Sequence, residues 1–484
     1  MTHQETPAHG GGSSRVPSPE SRVPALLAAT LGHLRALVAF DTRNPPRAID
    51  GGGIFAYLQA QLPGFDCTLT DHGAGAVSLL AVRGAPRLLF NVHLDTVPDS
   101  PQWSASPFAL RVTGDRAIGL GACDIKGAAA ALLAAAAHSD GACAFLFSSD
   151  EEANDARCVP AFLRDCPPLP SGEEPVLSSS KDARRAGEGT GVPQASIHGA
   201  GTSRHPASSS VAARDAIQGI ASARQPRPSP QPLSRPSRTA LGRSAPHDLL
   251  SADHERGASP RRERGFAIIV AEPTRGEVVL AHRGISSVLM RFAGVAGHAA
   301  GVQQASSSAL HQALRWGSRA LDWVDTQAHQ RFAGLTGLRF NIGRVEGGIK
   351  ANVIAPSTEL RFGLRPLPSM DSDAILAQLR ALADPAPAQF VETFRGTPLP
   401  AGDIADAEAR RLAARDLADE LGLPVGNAVD FWTEAALFSQ AGYTSFVFGP
   451  GDIAQAHSAD EWVALEQLAA YAAHVQRIIE RGLA

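Results

Sequence analysis

Asn91-Val92-His93-Leu94-Asp95-Thr96-Val97-Pro98 is the stretch on which the fold turns. The apolar run Leu88-Leu89-Phe90 leads into it and reads as a buried strand, expected over 87–92. Side chains two apart on an extended chain share a face. His93 and Asp95 therefore point together into one pocket at the strand's end. A neutral imidazole binds a divalent metal, and a neighbouring carboxylate fixes its tautomer and orientation. Alone, a His-x-Asp pair is weak evidence, because most such pairs are surface polar residues.

Further acids follow other buried-looking runs. Ala144-Phe145-Leu146-Phe147-Ser148-Ser149 ends in Asp150-Glu151-Glu152, and Phe266-Ala267-Ile268-Ile269-Val270 ends in Ala271-Glu272-Pro273. Three adjacent acids repel one another unless a cation sits among them, although a solvated acidic turn has the same composition. Asp124 in Gly121-Ala122-Cys123-Asp124-Ile125-Lys126-Gly127 stands just before an alanine-rich helix, 128–137. It reads either as a helix N-cap or as a metal-bridging carboxylate. Ligands of open α/β sheets gather at the carboxyl ends of strands, so these sites point to one crevice.

The bulk numbers frame this. The chain has 484 residues, 44% hydrophobic and 19% charged, with net charge −4. That is a globular composition with enough length for two or three domains, and the charge gives no case for nucleic acid. The five cysteines (67, 123, 143, 158, 166) are odd in number and lack zinc-finger spacing, which fits a reduced cytoplasmic setting. No apolar run is long enough to span a membrane, and no secretory signal pattern opens the chain.

Along the chain, 1–23 reads as a disordered tail and 24–39 as a helix. A second helix near 52–62 and strands near 66–70 and 76–83 precede the opening stretch. Residues 168–264 are rich in Ser, Pro, Arg and Gly; over 171–265 there are 14 Lys/Arg and 9 Asp/Glu, a local charge of +5. They lack the apolar surface to offset ordering entropy and read as a disordered insertion. From 283 two strand-helix-strand units suggest a small α/β layer with its own core. The remainder, 398–484, carries helices near 404–421 and 463–481, a strand near 444–448, and His457.

His93-Leu94-Asp95, the Gly121–Gly127 motif, Asp150-Glu151-Glu152, Glu272-Pro273 and His457 together resemble the M20 family of metallopeptidases and deacylases. Asn427-Ala428-Val429-Asp430-Phe431-Trp432-Thr433-Glu434 and Gly449-Pro450-Gly451-Asp452 resemble its acetylornithine-deacetylase-like branch. The departure is the insertion, which sets Glu152 and Glu272 120 residues apart.

The resemblance implies an α/β fold. A catalytic domain (24–167, 265–282 and 398–484) with a mixed, helix-flanked sheet carries an inserted two-layer lid and dimerisation domain, 283–397. It implies two divalent ions, zinc first and cobalt as a substitute. His93 would bind one and His457 the other, with Asp124 bridging and Glu152 and Glu272 completing the sets. Asp95 would hold His93, and Glu151 would be the general base. His298 would stabilise the oxyanion from the partner subunit of a homodimer. Arg365, with Asn352, would grip the substrate carboxylate. The implied substrate is an N-acetyl amino acid, N-acetyl-L-citrulline before N-acetyl-L-ornithine, in arginine biosynthesis. A reading of another class is an inactive protein that binds a partner through the basic insertion.

Overall fold

The opening stretch is a strand, Leu88–His93, in which every residue is buried. In this computed structural model the described residues are 19–46, 49–152, 156–166, 266–301 and 307–483. The insertion expected over 168–264 lies outside them, as does the expected tail except its last five residues.

In chain order, the first part holds α1 (Pro19–Val38), α2 (Gly53–Ala60), β1 (Asp66–Asp71), β2 (Val77–Arg83), β3 (Leu88–His93), β4 (Arg111–Thr113), β5 (Arg116–Ile118), α3 (Lys126–Ala137), β6 (Cys143–Ser148) and α4 (Cys158–Asp165). After the insertion come β7 (Ala267–Val270), β8 (Ile285–Ala293), α5 (Ala309–Thr326), β9 (Arg331–Phe332), β10 (Leu335–Thr336), β11 (Arg339–Gly347), β12 (Ser357–Arg365), α6 (Ser372–Ala381) and β13 (Gln389–Gly396). The last part holds α7 (Ile404–Glu420), α8 (Ala435–Ala441), β14 (Thr444–Val447), β15 (Trp462–Ala464) and α9 (Leu465–Arg481). The first helix starts at Pro19 rather than 24; proline suits a helix's first turn, where its missing N–H costs nothing.

A six-stranded mixed sheet runs β1-β2-β6-β3-β7-β14. Its four strands β6, β3, β7 and β14 are parallel, and β1 and β2 extend it antiparallel. Alternation divides β3 between two cores. Leu88, Phe90 and Val92 face the layer of α1, α2, α3 and α9, while Leu89 faces α4 and α8. Cutting Phe90 back to alanine would cost about 3–5 kcal/mol by the usual cavity penalty. Helix α3 is buried along Lys126–Ala136, and its alanines let α1 and α9 approach closely.

A four-stranded antiparallel sheet, β11-β12-β8-β13, forms a second layer. It packs with α5 and α6 around Trp316, Met290, Leu360, Phe362 and Leu379. The Trp316 indole N–H donates to the Leu379 carbonyl at 2.8 Å, so this large ring is buried without an unpaired donor. The chain enters and leaves the layer on paired segments, with His282 and Leu399 exchanging backbone hydrogen bonds of 2.9 and 3.2 Å.

Candidate metal centre

The parallel strands present their carboxyl ends to one crevice. His93 ends β3, Asp150-Glu151-Glu152 follow β6, Glu272 lies two residues past β7, and His457 lies beyond β14. Asp124 stands before α3, but it does not cap that helix, whose capping position is Ile125 with no side-chain cap. Its carboxylate instead faces the two histidines. Oδ1 lies 3.2 Å from His93 Nε2, and Oδ2 lies 3.2 Å from His457 Nε2.

Two groups of donor atoms thus share Asp124: His93, Asp124 and Glu272, and Asp124, Glu152 and His457. Glu272 Oε1 is 3.9 Å from His93 Nε2, and Glu152 Oε1 is 3.0 Å from His457 Nε2. Donors arranged tetrahedrally about 2.1 Å from one ion lie about 3.4 Å apart. The observed spacings bracket that value, and imidazole with carboxylate is a set that zinc-like ions accept. The residues fit divalent metal ions, and the two groups that could hold them have Asp124 in common.

Neighbouring groups aim these side chains. His93 Nδ1 lies 3.0 Å from the Asp95 carbonyl oxygen and 3.4 Å from its Oδ1, which leaves Nε2 facing the crevice. Asp95, fully buried, also accepts from Asn44 Nδ2 (2.9 Å) and from the backbone N–H groups of Glu151 (3.3 Å) and Glu152 (3.0 Å). One carboxylate therefore fixes β3's histidine and the acidic turn after β6. Asp150 turns away from the crevice and accepts from the Arg157 and Cys158 N–H groups at the start of α4. His457 has a left-handed backbone, φ +55°, a conformation that non-glycine residues hold only where surrounding contacts demand it.

The crevice is rich in negative charge. Burial pushes the Glu151 carboxyl well above its usual range; His93 opposes this, and Glu272, Glu152 and Glu434 add to it. Glu272 is raised for the same reasons, burial first and then Asp124. His457 is pushed up to about 11 by hydrogen bonds to Asp124 and Glu152. Burial pulls His93 down, but Asp124 and Asp95 outweigh it and hold His93 above its ordinary value. Such a set takes up protons or cations.

His298, Asn352 and Arg365 do not join these groups. His298 and Asn352 are exposed on the second layer, where the Ala299 N–H donates to the Asn352 carbonyl at 3.1 Å. Arg365, at the end of β12, is half-buried, with Asp430 as the acid acting on it.

Sequence reasoning missed several buried groups. Glu461, 2% exposed, accepts from the N–H groups of Gly121, Cys123 and Asp124. Glu434 is buried behind β6, 3.5 Å from Ser148 Oγ, and burial lifts its pKa to about 8. Lys126 is fully buried and donates to the Phe40 carbonyl at 3.0 Å. His282 is held between the Arg283 carbonyl and Thr433 Oγ1. No periodicity marks such residues; Glu434, inside the motif Asn427–Glu434, and Lys126, inside Gly121–Gly127, stood in recognised motifs, but nothing in those motifs marked them as buried.

The profile of the peptidase family M20/M25/M40 matches residues 89–481. The chain belongs to that family. Members are hydrolases, and the mixed central sheet with flanking helices is the fold its solved members share. An N-acetyl-L-citrulline deacetylase of Xanthomonas campestris pv. campestris is 56% identical over 455 residues, 94% of this chain and 98% of that one. An acetylornithine deacetylase of Myxococcus xanthus is 30% identical over 243 residues, 46% of this chain and 60% of the relative. Among solved structures, the aminopeptidase PepT of Bacillus cereus superposes with a TM-score of 0.55 at 15% identity, covering 94% of this chain and 98% of that one. The M20 metallo-carboxypeptidase Sso-CP2 of Sulfolobus solfataricus gives 0.56 at 12% identity, covering 93% and 98%. At those identities the likeness speaks for the fold alone.

Proposed function

We propose that this M20 chain removes the acetyl group from N-acetyl-L-citrulline, releasing L-citrulline and acetate within arginine biosynthesis. The observation that carries the substrate is the 56% identity to a deacetylase of that name, sustained over 98% of the relative's length. N-acetyl-L-ornithine is the nearest rival, because deacetylases of that name match part of the chain.

The proposed roles follow the geometry. His93, Asp124 and Glu272 would hold one divalent ion, and His457, Asp124 and Glu152 would hold the second, zinc first and cobalt as a substitute. Bound there, the ions supply Lewis-acid polarisation of the amide carbonyl and a water acidic enough to react near neutral pH. Glu151 takes the proton of the attacking water and returns it to the departing nitrogen. Its place is apt: its own N–H is tied to Asp95, and it adjoins Glu152 without belonging to either donor group. Asp95 keeps the His93 Nε2 lone pair aimed inward.

Arg365 grips the substrate α-carboxylate with its planar guanidinium, Asn352 assists, and His298 donates to the oxyanion. His298 is exposed and belongs to neither donor group, so we place it in the partner subunit's site of a homodimer formed through the lid layer, 283–397. The cytoplasm is the proposed setting; all five cysteines are unpaired, as a reducing compartment keeps them.

The test is acetate release from N-acetyl-L-citrulline by the full chain before chelation, after chelation, and after zinc is restored. Loss and recovery support the reading. Equal release throughout, or none in a zinc-loaded sample, refutes it.

A further inference from the structure

Between the ends of β5 and α3 the chain makes the tight loop that carries Asp124. Gly121 takes φ +77°, a conformation suited to glycine, and the N–H groups that follow are turned to one side. They converge on a single carboxylate. Glu461 Oε2 accepts from the Gly121 N–H at 2.8 Å, and Oε1 accepts from Cys123 at 2.8 Å and Asp124 at 2.9 Å. The Glu461 carbonyl accepts from the Gly119 N–H at 3.0 Å, so the grip extends back to the end of β5.

Glu461 belongs to neither group of metal donors. Its position in the chain gives it a second connection. It follows His457 by four residues and immediately precedes β15, which pairs antiparallel with β5. One side chain thus ties the segment bearing His457 to the loop bearing Asp124. Those two residues contribute facing donor atoms 3.2 Å apart. A buried carboxylate is well suited to the task, because both oxygens accept while a glutamine amide has only one acceptor. The buried Lys126 ammonium acts on Glu461 as the nearby cation and offsets part of the cost of burying it.

We propose that Glu461 is a positioning residue for the metal centre: it sets the Asp124 loop in its bridging geometry, and ties it to His457, before any ion arrives. This rests on the two-ion reading of the site. Hydrogen-bonded residues behind metal ligands are worth about 10–100-fold in affinity. Because Asp124 is shared, losing Glu461 weakens both ions.

The test compares the full unsubstituted chain with E461Q and E461D. Zinc affinity is measured by competition with a chromophoric chelator, and ligand geometry by the visible spectrum of the cobalt(II)-loaded proteins. The expected result is affinity about 10–100-fold weaker in E461Q, an altered cobalt spectrum, and partial recovery in E461D. Metal-loaded E461Q should also lose more of its melting temperature than metal-free E461Q. Unchanged affinity and spectrum, or equal losses with and without metal, would overturn the proposal and mark Glu461 as a general structural residue.

A measurement on the unsubstituted chain holds whatever the variants do. In metal-free protein the amides of 119–125 should be protected from hydrogen exchange; exchange at open-loop rates would mean that the ion orders the loop, against the proposal. If the unsubstituted chain binds no divalent ion while those amides stay protected, the two-ion reading fails rather than the loop's preorganisation.

Discussion

Asp95→Asn perturbs the most connected carboxylate behind the metal centre. Oδ2 accepts from Asn44 and the Glu152 N–H, while Oδ1 accepts from the Glu151 N–H and faces His93 Nδ1. An asparagine NH2 at either position sets donors against two donors. Losing two hydrogen bonds to a buried charged acceptor would cost about 3–6 kcal/mol. If the NH2 takes the Oδ2 position, Asn44 can turn its amide and offer its oxygen instead, which restores one bond. Metal-free Asp95→Asn should therefore be less stable by about 2–3 kcal/mol. His93 also loses its carboxylate partner, so zinc affinity should fall about 10–100-fold. Urea denaturation of the metal-free proteins reads the first effect, and chelator competition the second. A variant within about 0.5 kcal/mol of the unsubstituted chain, binding zinc equally well, would refute the role given to Asp95.

Glu151→Gln should retain both ions and lose about two to four decades in kcat; metal analysis with near-normal turnover would point to another base. Burial depresses the His282 pKa from 6.5 to about 4. The unfolded chain therefore protonates first, and His282 contributes stability above pH 6.5 that is lost as pH falls towards about 4. The 2.5-unit difference corresponds to about 3 kcal/mol. His282→Gln should flatten the slope of stability against pH in that window by up to one proton, read by urea denaturation at several pH values; an unchanged slope would contradict burial of the neutral ring. The proposed homodimer predicts twice the chain's mass by light scattering. A fully active monomer would remove His298 from the partner's role.

The parts of the site that the sequence revealed are those where one-dimensional pattern and three-dimensional position coincide. An apolar run ending in His93, or in Asp150-Glu151-Glu152, is a strand delivering side chains to its carboxyl end, and alternation gives the face. Asp124 was ambiguous because the same residue before a helix serves as cap or ligand; only the placement of His93 and His457 separates the two. Glu461 was invisible, because its partners are backbone N–H groups more than 330 residues earlier in the chain. Lys126 stood inside a recognised motif, but its full burial comes from packing against distant segments. Short or edge strands also escaped. β4, β5 and β15 have three residues each, and β13 is only partly buried, so no clean apolar period marks it. Arg365, Asn352 and His298 lie in the second layer, and their roles depend on a substrate and a partner subunit.

The proposed activity is zinc-dependent deacetylation with citrulline as the side chain preferred. The most direct test is kcat/KM of the zinc-loaded full chain on N-acetyl-L-citrulline and N-acetyl-L-ornithine, measured by acetate release. The expected result is a clear preference for N-acetyl-L-citrulline. A preference for N-acetyl-L-ornithine, or no release from either substrate with both ions bound, would contradict it.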